Sequence, residues 1–353
     1  MSEFCAEHDR STRLQAQVQE ALAGAQPLGI VGSGSRASLG LVPAGASLSV
    51  ADHRGVIDYQ PDELVIRARA GTRLIELEHL LASHGQRFAA DIPVPTAEST
   101  LGGAIACGWD GPARSLGVSL RDTVLGCRLV NGRGEIVNFG GQVMKNVAGY
   151  DLSRLQAGAL GTLGVILDVS LRLAPLPEKQ VTRAFAVRRE ELEDWWPRCR
   201  ELRPLLSASC WRDGQLYLRL SGRAGALDQV LPSMGGDDIA FDWKALRDLR
   251  SDFFGATGLA CLFLPPRTPM AIQEGETLLD WEGARIWVRG GNHPELQRAV
   301  QDAGGFLRVL RGEAVPPVVA APDWHRRLKQ AFDPRGIFNP AIFSDQFGGG
   351  GEH

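Results

Sequence analysis

The chain has 353 residues, is 44% hydrophobic and 22% charged, and carries a formal net charge of -3. This is the profile of a globular protein with room for two domains at roughly 100–200 residues each. It excludes the strongly basic footprint of a nucleic-acid partner, and no apolar run approaches the roughly 20 residues of a membrane span. The polar start over residues 1–13 has no signal-peptide core. The six cysteines form no CxxC or zinc-finger spacing, and the seven histidines no HxH or HExxH pair. The reading is of a reduced, cytoplasmic protein without a metal or a direct membrane span, any membrane association coming through partners.

Leu14, Val18 and Leu22 recur at helical spacing, closed by Ala25-Gln26-Pro27. A strand over 28–31 runs into Gly32-Ser33-Gly34-Ser35, and 47–50 and 64–70 alternate like strands. Thr72 is the expected cap of a helix carrying Leu74, Leu77, Leu80 and Leu81. Residues 91–117, rich in Gly, Pro, Ser and Thr, read as one long structured loop. Strands return at 123–130 and 135–139 across the Asn131-Gly132-Arg133-Gly134 hairpin signal, and again at 164–173.

Ala174-Pro175-Leu176-Pro177 marks a boundary. Beyond it come strands at 181–187, 208–211 and 215–220, the last two joined at Asp213-Gly214, with an amphipathic stretch over 190–202. Strands at 259–264, 285–288 and 306–310 and a helix near 294–303 complete an α+β region of mostly antiparallel sheet. A last helix near 323–332 precedes Asp333-Pro334-Arg335-Gly336 and Asn339-Pro340. His325, Arg326 and Arg327 are expected on its solvated face, and the 348–353 tail is expected to be mobile. The expected division is 1–175, 176–320 and 321–347, the last packing back on the first.

Gly32-x-Gly34-x-x-Ala37 after a strand has the outline of a dinucleotide fingerprint, with Asp52 twenty residues on. Such a fingerprint must open a long helix, and Gly40 and Pro43 forbid one here. Taken alone, the loop reads equally well as a strand-to-strand turn. A second glycine loop starts at Thr100-Leu101-Gly102-Gly103 and continues through Gly108, Gly111 and Gly117. Two facing loops can present main-chain amides to a pyrophosphate, each bond to an ionised group contributing about 1.5–3 kcal/mol. On this reading any Cβ at Gly102 would occupy phosphate space.

These loops, followed by residues 145–152 (KNVAGYDL) and 161–166 (GTLGVI), resemble the FAD-binding domain of the vanillyl-alcohol oxidase / p-cresol methylhydroxylase type. The likeness extends to residues 52–56, 140–144 and 332–340 and is thin over 180–320. Within that type it points to the smaller FAD-binding subunits of bacterial glycolate oxidase. It implies a PCMH-type FAD domain of two α+β subdomains plus a smaller antiparallel α+β domain. Gly32, Ser33, Gly34, Ser35 and Arg36 would wrap the pyrophosphate. Pro95, Thr96, Thr100, Leu101, Gly102, Gly103, Cys107, Gly108, Gly111, Arg114 and Ser115 would line the diphosphate and flavin. Asp122, Gly164, Val165 and Ile166 would approach the ribityl or adenosine end. Ser35 stands where covalent members carry the flavin-linked histidine, so the FAD is expected to be noncovalent. Cys107 has two readings, flavin neighbour or small buried hydrophobe. Lys145 is either a cation near the flavin pyrimidine or part of a segment tying the fold together. Arg114 and Arg121 are phosphate contacts or surface ion pairs.

The clustered histidines of related 2-hydroxy-acid dehydrogenases are missing here; residues 290–294 (GGNHP) hold one histidine alone. No catalytic residue is therefore named. The resemblance implies a subunit of a glycolate oxidase complex, with a larger FAD-binding subunit bearing the substrate site and a separate iron-sulfur subunit accepting electrons. The alternatives are a self-sufficient 2-hydroxy-acid dehydrogenase and a flavin-stabilised scaffold. Trp195, Trp196, Trp211 and Trp281 are read as core or as a partner surface.

Overall fold

A computed structural model describes residues 8–35, 37, 43, 45–141, 152–266, 268, 275–291, 293–313 and 321–347. The chain divides into two compact units. The first takes in the described residues of Met1–Trp109, Ser119–Pro175 and Pro316–His353; the second those of Asp110–Val118 and Leu176–Val315. Arg36, Lys145 and the rest of 142–151, Asn292 and the 348–353 tail lie outside the described residues.

In the first unit, helix α1 (Ser11–Ala23) turns Leu14, Val18 and Ala21 into the core. Strands β1 (Leu28–Val31) and β2 (Ala46–Ser49) pair in parallel. The open edge of β1 is covered from the far end of the chain. The Leu28 amide donates to the Ile337 carbonyl (2.7 Å), and the Asn339 amide to the Leu28 carbonyl (2.9 Å). An antiparallel sheet follows in the order β3 (Val56–Gln60), β4 (Val65–Arg69), β8 (Val165–Pro175), β6 (Val124–Val130), β7 (Ile136–Gly140), with β5 (Gln86–Phe88) paired to the end of β8. β8 is central and buried along most of its length. Its one acidic residue, Asp168, accepts from Arg67 Nε (2.7 Å) on β4 and Arg128 Nε (2.6 Å) on β6, so the buried charge is met from both neighbours.

Helix α2 (Leu74–Ser83) buries Leu74, Leu77 and Leu81, each burial contributing about 1.5–3 kcal/mol. Thr72 does not cap it. Arg73 occupies the N-cap, while the Thr72 hydroxyl donates to the Arg69 carbonyl (2.7 Å) and accepts from the Gly55 amide (2.9 Å). The expected loop over 91–117 contains a helix, α3 (Leu101–Cys107), with Thr100 as its N-cap and Gly108 in the left-handed conformation at its end. Gly102 and Gly103 hid it in the sequence; Leu101 and Ile105, four apart and fully buried, hold it in place. A single turn, α4 (Leu120–Thr123), leads into β6.

The second unit is built on an antiparallel sheet in the order β12-β9-β11-β10-β14-β15-β13-β16. These strands are β9 (Lys179–Ala186), β10 (Leu206–Arg212), β11 (Gln215–Gly222), β12 (Asp237–Asp238), β13 (Leu259–Phe263), β14 (Glu276–Asp280), β15 (Arg285–Arg289) and β16 (Phe306–Arg311). The β10–β11 turn is Asp213-Gly214, both at positive φ, as a tight hairpin requires. Helices α5 (Leu192–Glu201), α6 (Ala224–Met234) and α7 (His293–Asp302) supply Leu192, Leu227, Leu231, Leu296 and Val300 to a core shared with Leu216, Leu218 and Leu220. Neither β14 nor α6, with its internal Pro232, was visible in the sequence.

Residues 110–118, expected within the first domain, lie in the second unit because Arg285 and Trp281 hold their backbone. Arg285 Nη1 donates to the Asp110 carbonyl (2.7 Å) and Trp281 Nε1 to the Gly111 carbonyl (2.9 Å). Arg285 also binds the buried Asp280 through two N–H groups, and its guanidinium lies 4.0 Å from the Trp281 ring centroid.

Candidate functional site

The turn after β1 borders a cavity of about 290 Å3 inside the first unit. Its walls are β1, the turn Gly32 to Ser35, Ser47 of β2, the α3 residues Gly103, Ala106 and Cys107 with the cap Thr100, then Leu160, Asn339 and Ile342. None of its described lining residues carries a fixed charge. The amides of Gly32, Ser33, Gly34 and Ser35 have no hydrogen-bond partner among the described residues. Unpaired amides around a concavity form an anion-binding nest.

The turn tolerates no larger residues at its first position. A Cβ on Gly32 would stand 2.3 Å from Thr100 Oγ1, so β1 and the α3 cap touch through backbone on one side. Gly34 has φ +70°, a conformation natural to glycine, with open space where its side chain would be. A phosphate-sized group can therefore approach the main chain directly. This cradle fits the diphosphate of the FAD that the sequence implies.

The second glycine loop plays a different part from the one expected. Its amides are already engaged: Leu101 N donates to the Thr72 carbonyl (2.9 Å), Gly102 N to the Ala70 carbonyl (2.7 Å) and Gly103 N to Thr100 Oγ1 (3.3 Å). Gly102 is glycine because a Cβ would lie 2.7 Å from Ala70 Cβ, in the core and not in phosphate space. Gly108 packs likewise, with a Cβ at 2.6 Å from the Gly158 amide nitrogen. Donors come from the first loop; α3 is the wall they face.

Two residues passed over in the sequence complete the site. Ser99, fully buried, donates from its hydroxyl to Ser35 Oγ (3.1 Å) and accepts from the Thr96 amide (3.2 Å). It thereby braces the first loop against the segment carrying Pro95 and Thr96. Asn339 accepts from Ile30 N (2.9 Å) and donates to the Leu160 carbonyl (2.8 Å). Asn339 (φ 42°) and Leu160 (φ 55°) are both left-handed without being glycine, strain of the kind that persists where surrounding contacts over-determine it. Lys329 anchors this wall from behind: buried, it donates to Asp333 Oδ2 (2.7 Å), the Thr162 carbonyl (2.8 Å) and the Phe338 carbonyl (2.7 Å). Burial lowers its pKa against the opposing pull of Asp333. The only sequence signal for these was position, one residue before a glycine loop and inside the DPRGIFNP segment.

The structure thus gathers Gly32, Ser33, Gly34, Ser35, Thr100, Gly103 and Cys107 at one cavity. Cys107 is both buried and cavity-lining. Leu101, Gly102 and Gly108 pack behind it, and Gly164, Val165 and Ile166 enter β8 against β6 without lining it. Asp122 is engaged by the Ser119 hydroxyl (2.6 Å) of its own short helix. Gly111, Arg114 and Ser115 belong to the second unit, where Arg114 pairs with Asp110 (3.4 Å). Of the tryptophans, Trp211 is core, its Nε1 donating to the Val187 carbonyl (2.8 Å).

Residues 8–140 match the model of a family described as the FAD binding domain. Glycolate oxidase subunit GlcE of Escherichia coli (strain K12) is 40% identical over 349 residues, 95% of this chain and 97% of that protein. Glycolate oxidase subunit GlcD of Bacillus subtilis (strain 168) is 33% identical over 155 residues, 43% of this chain and 32% of its own length. Among solved structures, an alkyldihydroxyacetonephosphate synthase superposes with a TM-score of 0.67 at 15% identity, over 94% of this chain and 76% of that one, a likeness of fold.

Proposed function

Because this chain belongs to the GlcE family of FAD-binding glycolate oxidase subunits, we propose that it binds FAD noncovalently and serves in a complex that oxidises glycolate to glyoxylate. When bound, FAD supplies the hydride acceptor. The Gly32 to Ser35 amides hold its diphosphate, and Thr100, Gly103 and Cys107 form the wall beside it. Ser99 fixes Ser35, and Asn339 closes the side formed by the end of the chain. Ser35 has a hydroxyl where a covalent linkage would need an imidazole, which supports noncovalent attachment. No base is assigned here. The larger flavin subunit bears the glycolate site, and a separate iron-sulfur subunit receives the electrons. None of the described residues builds a group of His, Cys, Asp and Glu fit for a metal, and no described helix is long and apolar enough to cross a membrane.

The observation that carries this reading is the coincidence of the unpartnered amide turn with the region matched by the FAD-binding family. The chain purified alone is expected to be yellow, to release FAD into the supernatant on acid precipitation, and to show no turnover of glycolate or D-lactate with a dye acceptor. Activity is expected on mixing with the larger flavin and iron-sulfur subunits. Sustained turnover by the single chain at about one per second or faster would instead establish a self-sufficient dehydrogenase.

A further inference from the structure

The hydroxyl side chains that line the cavity of the first unit are not equivalent. Ser33 and Ser47 are exposed and make no hydrogen bond among the described residues. Thr100 Oγ1 is taken by the Gly103 amide of α3 (3.3 Å). Ser35 is half-buried, and its oxygen is engaged by another side chain, that of Ser99. This difference gives the Ser35 hydroxyl a direction.

The direction starts from the backbone. The Thr96 amide, which can only donate, bonds Ser99 Oγ (3.2 Å). Ser99 is itself pinned: its amide donates to the Thr96 carbonyl (3.1 Å), and its carbonyl accepts from the Leu74 amide (2.8 Å) at the start of α2. Its hydroxyl is fully buried, where a proton without an acceptor is costly. Among the described residues two oxygens are in reach of that proton, Ser35 Oγ at 3.1 Å and Thr96 Oγ1 at 3.5 Å. The nearer one, Ser35, takes it.

A serine hydroxyl has one proton. With its oxygen already accepting, Ser35 keeps that proton to give, and no described residue accepts it. Ser35 also ends the run of unpartnered amides that begins at Gly32. The turn thus carries a side-chain donor beside its main-chain donors. A freely rotating serine would serve a sugar hydroxyl or an oxyanion alike. A chain of hydrogen bonds that begins on a backbone N–H polarises in one sense and favours an ionised acceptor.

We propose that Ser35 donates its hydroxyl proton to a phosphate oxygen of the bound dinucleotide, and that Ser99 is the positioning residue that sets this direction. The inference rests on the FAD reading above. The full-length chain, freed of flavin, is titrated with FAD by the quenching of flavin fluorescence, and the phosphorus NMR spectrum of the bound cofactor is recorded. Ser35→Ala should weaken FAD at least about tenfold and Ser99→Ala at least about fivefold, both moving the same diphosphate resonance. The double variant should stay within about twofold of Ser35→Ala, because Ser99 acts through Ser35. Full affinity in Ser35→Ala would overturn the proposal. So would a double loss equal to the product of the single losses, or diphosphate resonances unmoved by Ser99→Ala, either of which would make Ser99 a packing residue only. A wild type that takes up no FAD would instead overturn the cofactor reading itself, and all the variants would then look alike.

Discussion

Gly32 and Gly34 are two residues apart and do different work. At Gly32 the constraint is space, since a Cβ meets Thr100 Oγ1 at 2.3 Å; at Gly34 it is backbone conformation alone. Gly32→Ala should therefore lower FAD affinity by at least about tenfold, or 1.4 kcal/mol. Gly34→Ala should incur only the left-handed cost of about 1–2 kcal/mol, shared between fold and ligand. The ratio of flavin to protein absorbance in the two purified variants separates them. His53 offers a second test. Burial pushes its pKa down to about 4, against the pull of Asp9, while the Arg10 amide donates to its Nδ1 (2.9 Å). The folded chain thus holds it neutral where the unfolded chain would protonate it. Stability should fall as pH drops from about 6.5 to about 4 and then level off, a contribution of about 3 kcal/mol. Urea unfolding at pH 7 and pH 4.5 should show this slope in the wild type and a reduced one in His53→Gln.

Among the elements, the segment after residue 322 is the one whose role is least visible from its neighbours in sequence. Asp333 accepts from Lys329 and also from the amides of Ile337 (3.1 Å) and Phe338 (2.8 Å), bending the chain so that 337–339 runs along β1. Asp333→Ala removes the counter-charge of a buried ammonium, which keeps two carbonyl acceptors, and also the acceptor of two amides, while Lys329→Met leaves the carboxylate two donors. Breaking such a pair costs about 3–5 kcal/mol. The urea midpoint should fall further for Asp333→Ala than for Lys329→Met, with flavin lost in both because Asn339 lines the cavity. Strands β1, β2, β4, β6, β7 and β8 of the first unit were legible to within a residue or two, since they carry apolar or alternating patterns between turn residues, whereas β3 and the three-residue β5 were not read from the sequence. Helix α3 was not, because glycine at two of its first three positions masks a helix that only burial of Leu101 and Ile105 sustains.

At the scale of the whole molecule the chain order and the spatial order part company at 110–118. Arg285→Leu should remove the two N–H groups that Asp280 accepts from and the donor to the Asp110 carbonyl. Hydrogen exchange is expected to rise across 110–118 and the adjoining strands of the second unit, and to stay unchanged in 28–49. The sequence by itself determined the α+β class, the FAD-binding character, the family, and the glycine turn at 32–35. The class and the turn rest on local patterns of hydrophobicity and turn residues, and the family and its cofactor on the resemblance of short motif blocks, none of which needs knowledge of distant contacts. Only the tertiary structure decided which amides are free. A donor's availability depends on carbonyls elsewhere in the chain, such as those of Ala70 and Thr72 that take the α3 amides. It also brought in Ser99 and Asn339, whose side chains reach the site only once strands more than sixty residues away have paired.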